Sequence, residues 1–296
     1  MNYKTRHFAL VDIIYIIMMI VPIVLGISLK VLTTPLSEGI SISGARIYFT
    51  LPMPVQNLPI TESQVNSAIV IVVLLFLCLY LTHGIKWGVW LKRHHFAEII
   101  VEMSTSLVNN NMGEYFKSFG PFIASILALS ALSSLITLFG LFPPTSDINI
   151  IAGWAILVFV LITYYKMKCG IWEYAKSFAN PPLMAPLNII GEIATPISMA
   201  FRHYGNVLSG SVISVLVAAG LQGLSNIVFG ALPGFLGEFP FLQVGLPAVL
   251  SIYFDIFSGC LQAFIFAMLT MLYISGGFPL ELYEERKKRK SQKCKI

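Results

Sequence analysis

Residues 183–221 read LMAPLNIIGEIATPISMAFRHYGNVLSGSVISVLVAAGL, an apolar run with a single arginine, Arg202, at its centre. As an α-helix this run would be about 58 Å long at about 1.5 Å per residue. The hydrocarbon core of a bilayer is only about 30 Å thick. We therefore predict a membrane helix that tilts steeply, bends at Pro196 or lies partly along the membrane. Residues 246–275 form a second over-long run, and the two together indicate a slanted hairpin.

The composition of the whole chain supports a membrane protein. Of the 296 residues, 56% are hydrophobic and 11% are charged, and the mean hydropathy is +0.80. Because soluble domains carry about 25% charged residues, this chain could not cover a water-facing surface. We predict an all-α polytopic membrane protein, since a membrane β-barrel would need short alternating segments that are absent. The six predicted spans are residues 9–29, 64–83, 120–142, 149–165, 183–221 and 246–275.

The distribution of basic residues predicts the orientation of these spans. If the N-terminus is cytoplasmic, sixteen of the 19 Lys and Arg residues lie on the cytoplasmic side, and only Lys30 and Arg46 lie outside. This bias follows the positive-inside rule and predicts that both termini are cytoplasmic. The net charge of +5 therefore does not indicate nucleic-acid binding. The four cysteines are widely spaced without a ligand pattern, so we predict neither a disulfide framework nor a metal site.

The sequence divides into a membrane core and three flanking parts. We predict an N-terminal membrane helix at 1–30, an extracytoplasmic proline-rich loop at 31–63, the core at 64–276 and a basic cytoplasmic tail at 277–296. The N-terminal run is too long for a typical signal peptide and lacks a small-residue cleavage site, which favours a retained helix. The prolines make the loop extended or turn-like.

Residues 94–117, between the second and third spans, are amphipathic. The pattern predicts a helix lying along the cytoplasmic interface, with an ordinary cytoplasmic loop helix as the alternative.

Arg202 is the most informative side chain in the sequence. Ser198, Arg202, Asn206 and Ser209 recur at helical spacing and share one face. A charge at this depth costs roughly 3 kcal/mol or more and normally faces a partner or a watery cavity. A guanidinium stays protonated, so it can attract a carboxylate and repel cations but cannot relay a proton. A purely structural buried ion pair is the alternative.

The last predicted span carries a second polar stripe. Ser251, Asp255, Ser258, Gly259 and Gln262 follow helical spacing, and Asp255 lies about nine residues from the outer end. We interpret the stripe as the wall of an aqueous half-pore that opens outward. The alternative is one aspartate hydrogen-bonded to a neighbouring helix.

Two further carboxylates are candidates for an ion pathway. Glu192 lies toward the cytoplasmic end of the long helix, where it could line an inward-facing pore or simply lie at the membrane interface. Asp147, in PPTSDINI, either takes part in ion translocation or caps the helix that follows it.

Two other classes of membrane protein are not indicated by the sequence. A secondary transporter would need paired repeats, and an intramembrane enzyme would need a nucleophile with its base; the sequence shows neither the repeats nor such a pair.

Three blocks resemble the signatures of subunit a of F-type ATP synthases. They are PPTSDINI, PLNIIGEIATPISMAFRHYGNVLSG and LQAFIFAMLTMLYI, in the family's order, and the resemblance covers roughly residues 62–276. It implies an ion-conducting stator subunit that is not an enzyme by itself, with no cofactor, in which the last two helices wrap a rotor ring. The implied partners are the c-subunit ring, b-type peripheral stalk subunits, the remaining ATP synthase subunits and the lipid bilayer, most simply a bacterial plasma membrane.

The resemblance also implies roles for single residues. Arg202 matches the family's essential arginine, which faces a carboxylate on each passing c subunit, and Asn206 and Gln262 match the polar residues that flank it. Asp255 matches a position where relatives carry histidine or glutamate, and Glu192 matches a position that is acidic in some relatives. Together they imply two offset half-channels for protons or sodium ions.

The sequence departs from the family pattern beside the arginine. Some relatives carry an ionisable residue nine positions after it, where this chain has Ser211. His203 and Tyr204 replace the commoner leucine and phenylalanine. The outer relay is therefore expected to depend on Asp255.

Overall fold

The computed structural model describes most of the chain, and most of what it describes is helical. The described residues are 3–33, 44–54, 57–85, 92–168, 170, 174, 185–229, 245–278, 280 and 283, and for 3–9, 229, 247 and 248 only the backbone is described. Most of the predicted basic tail, and Pro35 of the predicted loop, lie outside the described residues.

Among the described residues, the main elements are eight α-helices and one β-hairpin. The helices are α1 (Tyr3–Thr33), α2 (Glu62–Thr82), α3 (Lys92–Met112), α4 (Gly120–Leu135), α5 (Ile148–Met167), α6 (Ala185–Phe229), α7 (Leu246–Ser251) and α8 (Gly259–Gly277). A π-helical segment, Ile252–Ser258, joins α7 to α8 in one continuous last helix. The hairpin pairs β1 (Ile47–Leu51) with β2 (Leu58–Thr61) in antiparallel register. Part of the predicted loop is therefore extended, whereas its described ends, residues 31–33 and 62–63, belong to α1 and α2.

The six predicted spans correspond to six long apolar helical segments. Among the described residues, six segments are long and apolar enough to cross a membrane, which confirms an all-α polytopic membrane protein. The long helix α6 has 45 residues and extends eight residues beyond the predicted end. Helix α6 contacts all three segments of the last helix, namely α7, the π-helical segment and α8, as predicted for a hairpin.

The amphipathic segment after α2 is shorter than predicted. Instead of one helix over 94–117, α3 ends at Met112 and a 3₁₀-helix runs over Glu114–Phe119. The reason is Gly113, whose φ of 81° lies in the left-handed region that ends helices. Of the apolar residues of this segment, Phe96 and Met103 are exposed, whereas Leu107 packs against the core.

The buried core lies between α3, α4, α5 and α8, whereas α6 lies at its edge. The largest cluster of buried side chains includes Val108, Ile123, Val158, Phe266 and Ile274. By contrast, only 6% of the most apolar stretch of α6 is buried. Most of the surface of α6 is therefore left uncovered by the described residues.

Polar contacts hold α1 to the rest of the bundle near both of its ends. At one end, Lys30 Nζ donates to the Gly140 carbonyl at 2.6 Å and lies 3.6 Å from Glu62 Oε1.

At the other end of α1, the Asp12 carboxylate lies 2.7 Å from Arg93 Nη1 and 2.9 Å from His83 Nδ1. Ends that the charge pattern assigns to the same side of the membrane thus contact each other.

The last helix approaches α4 closely at Gly259. A Cβ atom built on Gly259 would lie 2.5 Å from Ser134 Cβ, whereas one on Gly153 would meet nothing within 4 Å. Only glycine fits at position 259, because real Cβ contacts are never that short and both helices would have to move apart.

We therefore expect Gly259→Ala to weaken the contact between α4 and α8. Overpacking of this kind costs about 1–3 kcal/mol. The midpoint of thermal unfolding of the detergent-solubilised complex should fall, and Ser134→Gly should restore part of the loss in the double variant. Gly153→Ala is the matched control and should leave the midpoint unchanged. Equal midpoints for the two alanine variants would contradict the close approach.

Candidate functional site

Arg202 lies on the uncovered face of α6. The side chain is exposed, and it takes part in none of the ion pairs or side-chain hydrogen bonds found among the described residues. Ser198 and Ser209 are exposed on the same helix, and a Cβ on Gly205 would meet nothing within 4 Å. The intrachain ion pair that was the alternative for Arg202 is not found in this part of the structure. The arginine is instead open to a neighbour from outside the chain.

Asn206 is turned toward the last helix rather than onto the open face. Its Nδ2 donates to Ser258 Oγ at 2.8 Å, and that hydroxyl lies 3.1 Å from Asn206 Oδ1. Gln262, one turn further along the last helix, is 5% exposed. The structure therefore joins the polar stripe of the last helix to α6 one turn beyond Arg202.

A cavity lined by both polar and apolar side chains opens between α4, α6 and the π-helical segment. Its volume is about 240 Å³. Asp255 lines it and accepts a hydrogen bond from Ser251, which also lines it. The other lining residues are Ser134, Thr137, Pro143, Asn206, Val207, Gly210, Ser211, Ser214, Val215 and Phe254. Asp255 is the one ionisable side chain among these residues. We call this the outer cavity.

A second cavity, with a mixed polar and apolar lining, lies nearer the N-terminal end of α6. It has a volume of about 220 Å³ and is lined by Lys166, Glu192 and Thr195 together with residues near the end of α8. Lys166 Nζ donates to both oxygens of the Glu192 carboxylate, at 2.8 and 2.7 Å. Burial, and then the Glu192 carboxylate, raise the pKa of the Tyr174 hydroxyl above its usual value, so this hydroxyl remains a donor, 3.5 Å from Glu192. We call this the inner cavity.

The two cavities are separate, and Arg202 lies between them along α6. They share no lining residue in the described part of the chain. On α6 the inner cavity reaches Thr195 and the outer cavity begins at Asn206. Arg202 is thus about 10 Å from the first level and about 6 Å from the second, at about 1.5 Å per residue. The two cavities therefore lie on either side of Arg202 along the helix axis.

The chain also matches a known protein family. Residues 65–275 match the family described as ATP synthase A chain. The chain belongs to this family. The subunit is therefore an integral, multi-pass stator component of the ion-conducting membrane sector of an ATP synthase, and it is not catalytic by itself.

Relatives in this family match over most of their length. ATP synthase subunit a of Trichlorobacter lovleyi is 30% identical over 74% of this chain and 90% of its own. ATP synthase subunit a of Geotalea daltonii is 32% identical over 70% and 83%. The sodium ion specific ATP synthase subunit a of Propionigenium modestum is 27% identical over 82% and 86%. Helix α1 and the β-hairpin precede the region matched by the family.

Asp147, the remaining candidate residue for ion translocation, lies at the start of α5 rather than in either cavity. It is the N-cap of α5, accepting from the Asn149 backbone N–H at 3.0 Å, and its other oxygen accepts from Ser63. It is not among the residues that line either cavity. Capping was the alternative for Asp147, and its part in ion translocation stays a prediction.

Sequence reasoning missed several residues of the two cavities. Ser134, Thr137 and Ser214 line the outer cavity, and Lys166 pairs with Glu192 in the inner one. The signal for the serines was present, since Ser130, Ser133 and Ser134 break an otherwise apolar span. The pairing of Lys166 depends on how α5 packs against α6, which no local pattern encodes.

Asp255→Asn should slow ion transport strongly, because the other described lining residues offer no titratable group. Asp255→Glu and Asp255→His should each keep part of the rate, and Val215→Ala, at an apolar lining residue of the same cavity, is the matched control and should keep the wild-type rate. The measurement is ATP-driven ion uptake into inverted membrane vesicles. Wild-type uptake in Asp255→Asn would show that the outer pathway does not use this carboxylate.

Proposed function

We propose that this subunit passes protons or sodium ions between two half-channels by way of carboxylates on a passing c-subunit ring. The observation that carries the proposal is the position of Arg202, exposed on α6 between the outer and inner cavities. In this view the open face of α6 is where the ring passes. The small residues around Arg202 allow a neighbouring helix to come close.

The outer cavity supplies the ion. An ion from outside enters the outer cavity, is held near Asp255 and neutralises a carboxylate of the ring. The neutral carboxylate can then rotate into lipid, where the charged form would be too costly. Ser211, Ser214 and Asn206 provide hydroxyl and amide groups along the way.

Arg202 keeps the two half-channels apart. Its fixed positive charge repels free cations and pairs with a carboxylate that has lost its ion, so the returning ring releases its ion toward the inner cavity. There the Glu192 carboxylate is already paired with Lys166, which leaves it less able to trap the departing ion. Each charge that crosses 100 mV supplies about 2.3 kcal/mol, and several are needed for each ATP made by the partner subunits.

The remaining expectations about partners and placement belong to the same proposal. The c ring covers the open face of α6, and b-type peripheral stalk subunits hold the stator still. The chain lies in a bacterial plasma membrane with both termini cytoplasmic, as the basic residues predict. The contacts of Lys30 with Glu62, and of Asp12 with Arg93, agree with this alternation of the helices.

Arg202→Ala should abolish both ATP-driven pumping and ion-driven synthesis while the complex still assembles. Assembly should survive because the side chain has no partner in the described part of its own chain. Passive ion leak through the membrane sector should persist or rise, since the barrier between the half-channels is gone. Assembly, leak and synthesis are measured in the same membranes.

Two further variants sharpen this test. Arg202→Lys should also fail largely, because an ammonium lacks the planar fork that pairs with a carboxylate. Ser209→Ala, on the same open face, should retain most activity. Coupled synthesis at the wild-type rate in Arg202→Ala would refute the proposal, as would loss of assembly without any leak, which an intrachain structural role predicts.

A further inference from the structure

His203, the residue after Arg202, is buried on the inner side of α6. Its side chain is 0% exposed and packs edge-on against Trp154 of α5 and Phe266 of α8. On α4, Ser130 Oγ lies 3.4 Å from His203 Nε2. The imidazole therefore occupies the centre of the bundle at the level of Arg202, behind the open face.

One nitrogen of this ring lacks a partner. Nδ1 is buried and forms no hydrogen bond with the described residues. In a neutral imidazole one nitrogen donates and the other accepts, so either tautomer leaves Nδ1 with an unmet hydrogen bond. Because such a group is costly to bury unpaired, and buried waters commonly bond to such groups, this position calls for a water molecule.

Two serines connect His203 to the outer cavity. Ser134 lines that cavity, and its hydroxyl donates to the Ser130 backbone carbonyl at 3.3 Å, one turn away. Ser130 in turn contacts His203 through its own hydroxyl. Ser130 and Ser134 are 0% and 4% exposed, so they form a buried polar track between the apolar side chains of the core.

We propose that His203 is a further residue of the ion pathway: with Ser134 and Ser130 it forms a buried branch of the outer cavity that ends in a water bound to Nδ1, at the level of Arg202. The proposal rests on the outer half-channel proposed above and deepens it. The track consists of hydroxyl and imidazole groups, which hydrogen-bond to water and can coordinate a small monovalent cation. It therefore admits water and small cations from the outer cavity and keeps the core side of α6 hydrated beside the arginine.

Silver ions test the branch, because they are small monovalent cations that react with cysteine thiols. The assembled complex is prepared with the four natural cysteines replaced, and single cysteines are introduced by Ser214→Cys, Ser130→Cys or Ser133→Cys. Ser133 is the matched control, since it is 1% exposed on the same helix and is not part of the hydrogen-bonded track. The readout is inhibition of ion-driven ATP synthesis by silver.

We expect silver to inhibit the Ser214→Cys and Ser130→Cys complexes severalfold and to leave Ser133→Cys unaffected. Adding His203→Leu to Ser130→Cys should remove the inhibition, because the branch loses its bound water, whereas adding His203→Gln should keep it. A residue that only packs the core would not make silver sensitivity at position 130 depend on hydrogen bonding at position 203.

The contrary results separate the two proposals. Inhibition of Ser214→Cys without Ser130→Cys would overturn the branch and leave the outer half-channel standing. Insensitivity of both would overturn the outer half-channel as well. Equal inhibition of Ser130→Cys and Ser133→Cys, or inhibition of Ser130→Cys that survives His203→Leu, would also overturn the branch.

Discussion

A guanidinium in the middle of a membrane helix needs a carboxylate or water beside it. In the described part of the chain, no carboxylate side chain pairs with Arg202. The charge cannot be neutralised, since arginine keeps its proton. We therefore propose that its cost in a bilayer is met by a group outside the described residues, namely a carboxylate of the ring. The open face of α6, the separation of the two cavities and the proposed contact with a ring carboxylate all follow from this constraint.

The hairpin of α6 and the last helix is what holds the arginine at that level. A Cβ on Gly210 would lie 3.0 Å from Phe254, and Asn206 pairs with Ser258, so these contacts fix the two helices in register. The absence of a side chain at Gly259 then allows the last helix to pack closely against α4. The other helices pack behind α6, while its opposite face is exposed in the described part of the chain, which suits a fixed wall beside a moving ring.

The sequence predicted the class, the six spans and the over-long hairpin, because apolar length and basic flanks are local signals. It also predicted Arg202 and Asp255 as charges at membrane depth. It did not predict the π-helical segment around Asp255, the end of α3 at Gly113 or the pairing of Lys166 with Glu192. The π-helical segment depends on how the helices pack. The end of α3 depends on the φ angle of Gly113. The ion pair joins side chains that are 26 positions apart in the sequence.

The most direct test of the central claim is whether the open face of α6 touches the ring. Cysteines introduced by Ser198→Cys and Ser209→Cys should each cross-link under oxidation to a cysteine placed one turn from the ion-binding carboxylate of the c subunit. Ile156→Cys, exposed on α5, is the control and should not cross-link. Cross-linking at positions 198 and 209 alone is the predicted result. Its absence there, or a stronger product from position 156, would contradict the account.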